Sequence, residues 1–484
     1  MSASEAPILL TQICRDWRSI ALSTPRLWSK LYIPTLRGDM HHRPETLPYD
    51  IEWERRMEAR VEEVQRWLRL SAACPLAITL MSAGSPLTVS YPPLLDSVIE
   101  SSRRWQQLEL SFLHPESDIF TRFLSISPDD LCMLRELRIH SLYSMLSLHT
   151  QEDLWYRSGL LTAQGLRSIS IALPQMNAFH AGIPPNWKNL NHLFFHSPIL
   201  LGLAHSMLSY CCNLVACLLE IDGLGTNLDA SITLSSCILP CLTFLSLQGN
   251  FISCSQLFGS IKAPSLQVLD YHGYFPSVSE EFGLLNFFQN NNSLKTLSLD
   301  HHHFTESNVL KYYTLIPSVT HLVLGPSPKW SRSPSWNYIY SDPPHDAYPR
   351  YIDFNTLHEF RHQYSIDSAP TLLFPSLETF EAYGFSGVTD AMLLEFIKAR
   401  IDATKSNTGV SKLKKVLVEF SRAEQTDIVP KALAYAQEAG INLELNLKYH
   451  TTEEIDMTQA WSLPFGLTQD DDSWVYPWIK LDDY

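Results

Sequence analysis

The nine residues Leu242–Asn250, LTFLSLQGN, carry apolar side chains at relative positions 1, 4 and 6 and an asparagine at position 9. The 1–4–6 pattern recurs along the chain. It appears as WQQLELS from Trp105, LRELRIH from Leu134, LRSISIA from Leu166, LNHLFFH from Leu190 and LVACLLE from Leu214. Beyond Asn250 it continues as LQVLDYH from Leu266, LKTLSLD from Leu294, VTHLVLG from Val319, LETFEAY from Leu377 and LKKVLVE from Leu413. The fourth positions fall at 108, 137, 169, 193, 217, 245, 269, 297, 322, 380 and 416, so most steps lie between 24 and 32 residues. No other feature restricts the fold as much. Positions 4 and 6 alternate with their neighbours and predict a short strand with one buried face. One such unit cannot cover that face alone, and stacking on neighbouring units does. Pro240, Pro264, Pro317 and Pro375 stand just before several copies, where proline ends the preceding segment and delivers the chain extended.

The LTFLSLQGN copy matches L-x-x-L-x-L-x-x-N, the pattern of leucine-rich repeats, whose unit runs to roughly 20–29 residues. The expected fold class is therefore α/β: a leucine-rich-repeat solenoid, a curved parallel sheet with helices and loops on its convex side, behind a short N-terminal helical module. Asparagine occupies position 9 only once, so a regular asparagine ladder is not expected. The long step from 322 to 380 holds PSPKWSRSPSWNYIYSDPPHDAYPRY, which reads as an insertion over 325–375. Trp330 and Trp336 in it could serve as binding anchors or pin the loop to the repeats.

In such a solenoid the residues flanking the buried leucines line the concave face. Position 7 supplies His140, His196, Glu220, Gln248, His272, Asp300 and Tyr383, and position 5 adds Asp270. Neighbouring strands lie about 4.8 Å apart, so these side chains form one polar, histidine-bearing ribbon. It is the expected contact for a protein target with basic or hydrogen-bonding character. Histidines beside carboxylates would also make that contact sensitive to pH near neutrality.

The chain opens differently. Leu10, Ile13, Trp17, Ile20 and Ala21 recur at three- and four-residue steps and predict one amphipathic helix. Ser23 or Thr24 can cap a second helix with Pro25 in its first turn, continued by Leu27, Trp28 and Leu31. Two short helices of this kind need a partner. ILLTQICRDWRSIALSTPRLWSKL resembles the C-terminal two-thirds of an F-box, in the C-R-x-W-R-x-I-A-x-S-T-P-x-L-W form of large fungal families. The stripe Trp53, Met57, Val61, Val64 and Leu68, followed by SAACPLAITL, is similar to the segment after the F-box in those families. The likeness covers residues 6–80.

F-box modules bind a Skp-type adaptor that joins them to a cullin–RING ubiquitin ligase. The resemblance thus implies a substrate-recognition subunit, with the repeats binding an unidentified protein target. Ile13, Trp17, Ile20, Pro25, Leu27 and Trp28 match the family's core and adaptor-facing positions, Trp17 chiefly the core. The L-P-x-E-I-L helix that begins the family pattern has no counterpart before Ala6. The alternative is a leucine-rich-repeat scaffold without ligase recruitment. The expected layout is residues 1–35 as a partial F-box, 36–72 as linker and amphipathic helix, 73–450 as solenoid, and 451–484 as a C-terminal cap or acidic tail.

Composition limits the other classes. A formal charge of −15 with scattered Lys and Arg argues against nucleic acid as a partner. No stretch approaches the ~20 apolar residues of a membrane span. Nine cysteines without a C-x-x-C pair suit reduced thiols, and the expected location is cytoplasmic or nuclear. HEFRH, residues 358–362, formally matches H-E-x-x-H, and Glu381 could be offered as a third zinc ligand. Arg361 beside the supposed metal disfavours it, and His301–His303 reads as a solvated turn. No phosphate-binding glycine loop or nucleophile elbow appears. The expectation is a protein that is not an enzyme and has no cofactor and no metal.

Overall fold

The computed structural model describes residues 7–34, 51–82, 92–112, 117–141, 158–172, 183–221, 234–274, 282–299, 311–325, 363–365, 368–371, 373–385, 388–406 and 409–450. Trp330, Trp336, HEFRH, His301–His303 and the segment 451–484 lie outside the described residues. The chain divides into two compact units, Met1–Ala263 and Pro264–Tyr484.

In the first unit the strands are β1 (Lys30–Pro34), β2 (Leu76–Ser82), β3 (Trp105–Phe112), β4 (Glu136–Ser141), β5 (Ser168–Ala172), β6 (His192–Ile199), β7 (Ala216–Ile221), β8 (Cys237–Ile238), β9 (Phe244–Asn250) and β10 (Ile261–Lys262). β1 to β7 and then β9 form one parallel sheet in chain order. β8 and β10 make a separate two-residue ladder. In the second unit β11 (Val268–Tyr274), β12 (Thr296–Leu299), β13 (His321–Leu324), β16 (Thr379–Phe385), β17 (Lys415–Phe420) and β18 (Glu444–Tyr449) pair in parallel, again in chain order. Within the stretch expected to be an insertion, β14 (Gln363–Ser365) and β15 (Ser368–Thr371) form a short antiparallel ladder.

The register is the one the repeat implies. Leu108 stands opposite Leu137, then Ile169, Leu193, Cys217 and Leu245. In the second unit Leu269, Leu297, Leu322, Phe380 and Val416 follow the same line. Position 1 is buried in every copy from Trp105 to Leu413, none more than 2% exposed. Each such side chain contributes roughly 1.5–3 kcal/mol by leaving water. Crossing segments pack on the face of positions 4 and 6. Trp187 meets Phe195 at 6.1 Å between ring centroids, and Phe396 meets Phe380 at 5.1 Å.

A spine of backbone hydrogen bonds runs beside this core at position 2. Arg135 N–H donates to the Gln106 carbonyl, Arg167 to Arg135, Asn191 to Arg167, Val215 to Asn191 and Thr243 to Val215, at 2.7–2.9 Å. Lys295 to Gln267, Thr320 to Lys295, Glu378 to Thr320 and Lys414 to Glu378 continue the motif in the second unit. The residue before position 1 adds a side-chain clip: Ser293 Oγ donates to the Pro264 and Leu266 carbonyls, and Ser318 Oγ to those of Asn292 and Leu294. Gly325 closes its strand at φ +83°, where a Cβ would stand 2.3 Å from the Tyr383 carbonyl oxygen, so only glycine fits.

Three strands of the long parallel ladders lie outside the eleven expected copies. β1 pairs Leu31 with Ile78 and Ile33 with Leu80, and β2 pairs Ile78 with Leu108. This makes Trp28 position 1 of a first repeat, W-S-K-L-Y-I, spaced like the Trp105 copy. β18 supplies Leu445 opposite Val416. The expected helical module over 1–35 is thereby corrected: its last residues are a strand of the repeat sheet, and the helix Ile51–Leu70 is the crossing segment between β1 and β2.

Candidate functional site

Residues 7–29 fold as two short helices, Leu10–Ile13 and Arg15–Ser23, and a 3-10 turn, Pro25–Trp28. The single helix expected over Leu10–Ala21 is interrupted at Cys14, which is extended with φ −157° and ψ 174°. Arg18 Nε donates to the Thr11 carbonyl at 2.6 Å and ties the two pieces together. Neither Ser23 nor Thr24 caps the following turn. Both hydroxyls donate back to the Ile20 carbonyl, at 3.2 and 2.7 Å.

The six residues matched to the F-box pattern separate into two groups. Ile13, Trp17 and Ile20 are 56%, 47% and 55% exposed and form an open apolar stripe. Leu9, four residues before Ile13 and 41% exposed, extends it; its helical spacing was readable, and sequence reasoning missed it. Trp17, expected chiefly to pack, therefore faces solvent. Pro25 and Leu27 are half-buried. Trp28 is buried at 5% exposure, its indole N–H donating to the Ala21 carbonyl at 2.7 Å. Its ring meets Trp67 edge-on at 4.8 Å between centroids. Trp28 is thus a packing residue of the first repeat. Trp67, one residue from the Leu68 expected on the stripe, is the partner that holds it.

The polar residues expected to form one ribbon differ from it in register and in exposure: Glu220 stands opposite Gln248, whereas His196 and Tyr383 fall where the register of their strands shifts. His140, Glu220, Gln248, Asp270, His272 and Tyr383 are 6%, 3%, 4%, 1%, 4% and 6% exposed, and only His196 is half-buried. Asp300 lies outside the described residues. The expectation of an open face at these positions is corrected to buried polar residues, two of which are held by hydrogen bonds within their own strands. His272 Nε2 lies 2.9 Å from Asp270 Oδ1, and the Tyr383 hydroxyl donates to Glu381 at 2.8 Å. Glu381 is ringed further by His321 at 3.4 Å and Lys415 at 3.7 Å. The His321 imidazole above all, with the Tyr383 hydroxyl and Lys415, holds the Glu381 carboxyl down at about 2 against the opposing effect of burial.

Burial lowers three histidines of the first unit. His196 is lowered to about 4 by desolvation, and His140 falls well below its ordinary value through burial, with His196 and Arg138 adding to it. His192 is lowered as well, again by burial. These rings are neutral at physiological pH, so the expected titration near neutrality does not arise from His140 or His196.

Among the described residues no group of three or more His, Cys, Asp or Glu is placed to hold a metal ion. No helix among them is long and apolar enough to cross a membrane. All nine cysteines are free thiols, and burial pushes Cys211 up to about 12. No family model matches the chain, and no curated protein matches it. Among solved structures, the complex of Rad7 and Elc1 in yeast aligns with a TM-score of 0.26 at 15% identity, over 56% of this chain and 75% of that one. A score of that size transfers nothing to this chain. The class the geometry defines is an α/β repeat protein built on parallel strands.

Proposed function

We propose that this chain is a non-enzymatic substrate receptor of an SCF-type ubiquitin ligase. Its N-terminal helices dock on a Skp-type adaptor, and its repeats hold a protein target for modification. The observation that carries the reading is the stripe Leu9, Ile13, Trp17 and Ile20, each 41–56% exposed on helices otherwise anchored to the repeats. Large apolar side chains left open together in one short segment of a folded protein mark an interaction surface, and the F-box resemblance falls on that same segment. Arg15, Arg18 and Arg26, with Asp16 the one acid among residues 7–29, leave this segment positively charged in an acidic chain, which favours an acidic partner.

The test is titration calorimetry of the full chain against its host's Skp-type adaptor, with a Trp17→Ala, Ile20→Asp variant beside it. Binding that the variant weakens at least tenfold, with unchanged circular dichroism, supports the receptor. Absence of binding by the folded wild-type chain overturns it and leaves the scaffold reading.

A further inference from the structure

The last described strand of the second unit, β18, departs from the repeat pattern. At positions 4 and 6, Val416 and Val418 of β17 are 0% exposed, as are Phe380 and Ala382 of β16. In β18 the equivalent Leu445 and Leu447 are only half-buried, and Glu444, Asn446 and Lys448 alternate with them. The backbone tells the same story. Glu444 N–H donates to Lys414 and His450 N–H to Phe420, so even-numbered amides of β18 face β17. The amides of Leu445, Leu447 and Tyr449 consequently face outward, along an edge with no strand beside it among the described residues. An uncovered edge of six residues beside half-covered leucines is a template for further pairing, and repeat stacks need a terminal cap.

We propose that the chain's own C-terminal segment 451–484 adds to this edge, with the apolar stretch Trp474–Leu481, WVYPWIKL, as the pairing element over Leu445 and Leu447. Three observations favour it over a foreign strand. The segment continues directly from β18, so its local concentration at the edge is on the order of millimolar without any binding partner. The 23 residues 451–473 span far more than the ~20 Å length of the strand, enough to return to either end of it. The segment carries eight acidic residues and one lysine, with Asp470–Asp472 and Asp482–Asp483 bracketing the apolar stretch. Like charges on both flanks oppose pairing between copies and leave pairing within one chain as the favoured use. Pro477 is tolerated because a new edge strand has one side that donates to no neighbour.

Hydrogen exchange of the full chain reads this directly at the Leu445, Leu447 and Tyr449 amides, compared with a full-length Trp474→Asp, Trp478→Asp variant and with a chain ending at His450. Protection of these amides in the wild type, lost at least tenfold in both variants while β17 amides are unchanged, supports the proposal. Equal exchange in all three proteins overturns it. So does protection that rises with protein concentration and persists in the variants, which would make the occupant a second copy.

Discussion

At the scale of single residues, the burial of polar side chains along the sheet has consequences for acid stability. His140 and His196 are neutral in the folded protein because burial opposes their charge. In the unfolded chain they take up protons at their ordinary value near 6.5. As pH falls from 6.5 towards 4 the unfolded state therefore gains protons that the folded state does not, and stability falls. Above 6.5 the two rings contribute no slope. Replacing both, His140→Asn with His196→Asn, is expected to flatten the stability–pH curve of the first unit between pH 6.5 and 4 by on the order of 1–3 kcal/mol. Urea denaturation at a series of pH values measures this, and an unchanged slope would exclude the two rings as its source. Strand alternation let the sequence set Glu220 opposite Gln248, but it could not foresee the register shifts at His196 and Tyr383. Nor did it reveal the burial of these side chains. Polar residues flanking buried leucines read as solvent-facing, and only packing of non-local groups shows that Asp270 and His272 satisfy each other.

At the scale of elements, the opening segment separates packing from docking. Trp28→Ala removes the position-1 side chain of the first repeat and its contact with Trp67, and is expected to cost about 3–5 kcal/mol. Trp17→Ala removes an exposed side chain and is expected to change stability by less than about 0.5 kcal/mol. Thermal unfolding of the two variants side by side distinguishes the roles; equal destabilisation would place Trp17 in a core. Eleven strands were legible from Trp105 onward because apolar residues recur there at positions 1, 4 and 6. The others were not, for reasons that differ. Pro75 and Asn442 occupy position 1 in the copies that form β2 and β18, so the pattern breaks where the strand does not. In β1 the pattern is intact, but Trp28 also fits the helical motif, and a three-residue step suits both periods. The helical stripe itself was readable, whereas the break at Cys14 was not, because the side chain there lies on the polar side and carries no breaker signal.

At the scale of the whole chain, stability is distributed within each unit along a ladder in which the successive strands of the long parallel sheet contact one another. A cavity in one repeat should loosen its neighbours first. Leu193→Ala in β6 is expected to speed amide exchange in β5 and β7 markedly more than in β2, within the same unit. Uniform acceleration across all strands of the unit would instead show all-or-none unfolding. The candidate docking stripe sits at one end of this ladder, ahead of β1, where helices that serve no later repeat are free to keep an apolar face open.

The order of the strands also bears on how the protein is made. Within each unit's ladder, every strand after the first pairs with one that precedes it in the chain. A polypeptide leaving the ribosome can thus lay each new strand against one already outside the tunnel, without waiting for distant sequence. Synthesis and assembly proceed in the same direction, and each freshly laid strand is briefly the sticky end to which the next is added.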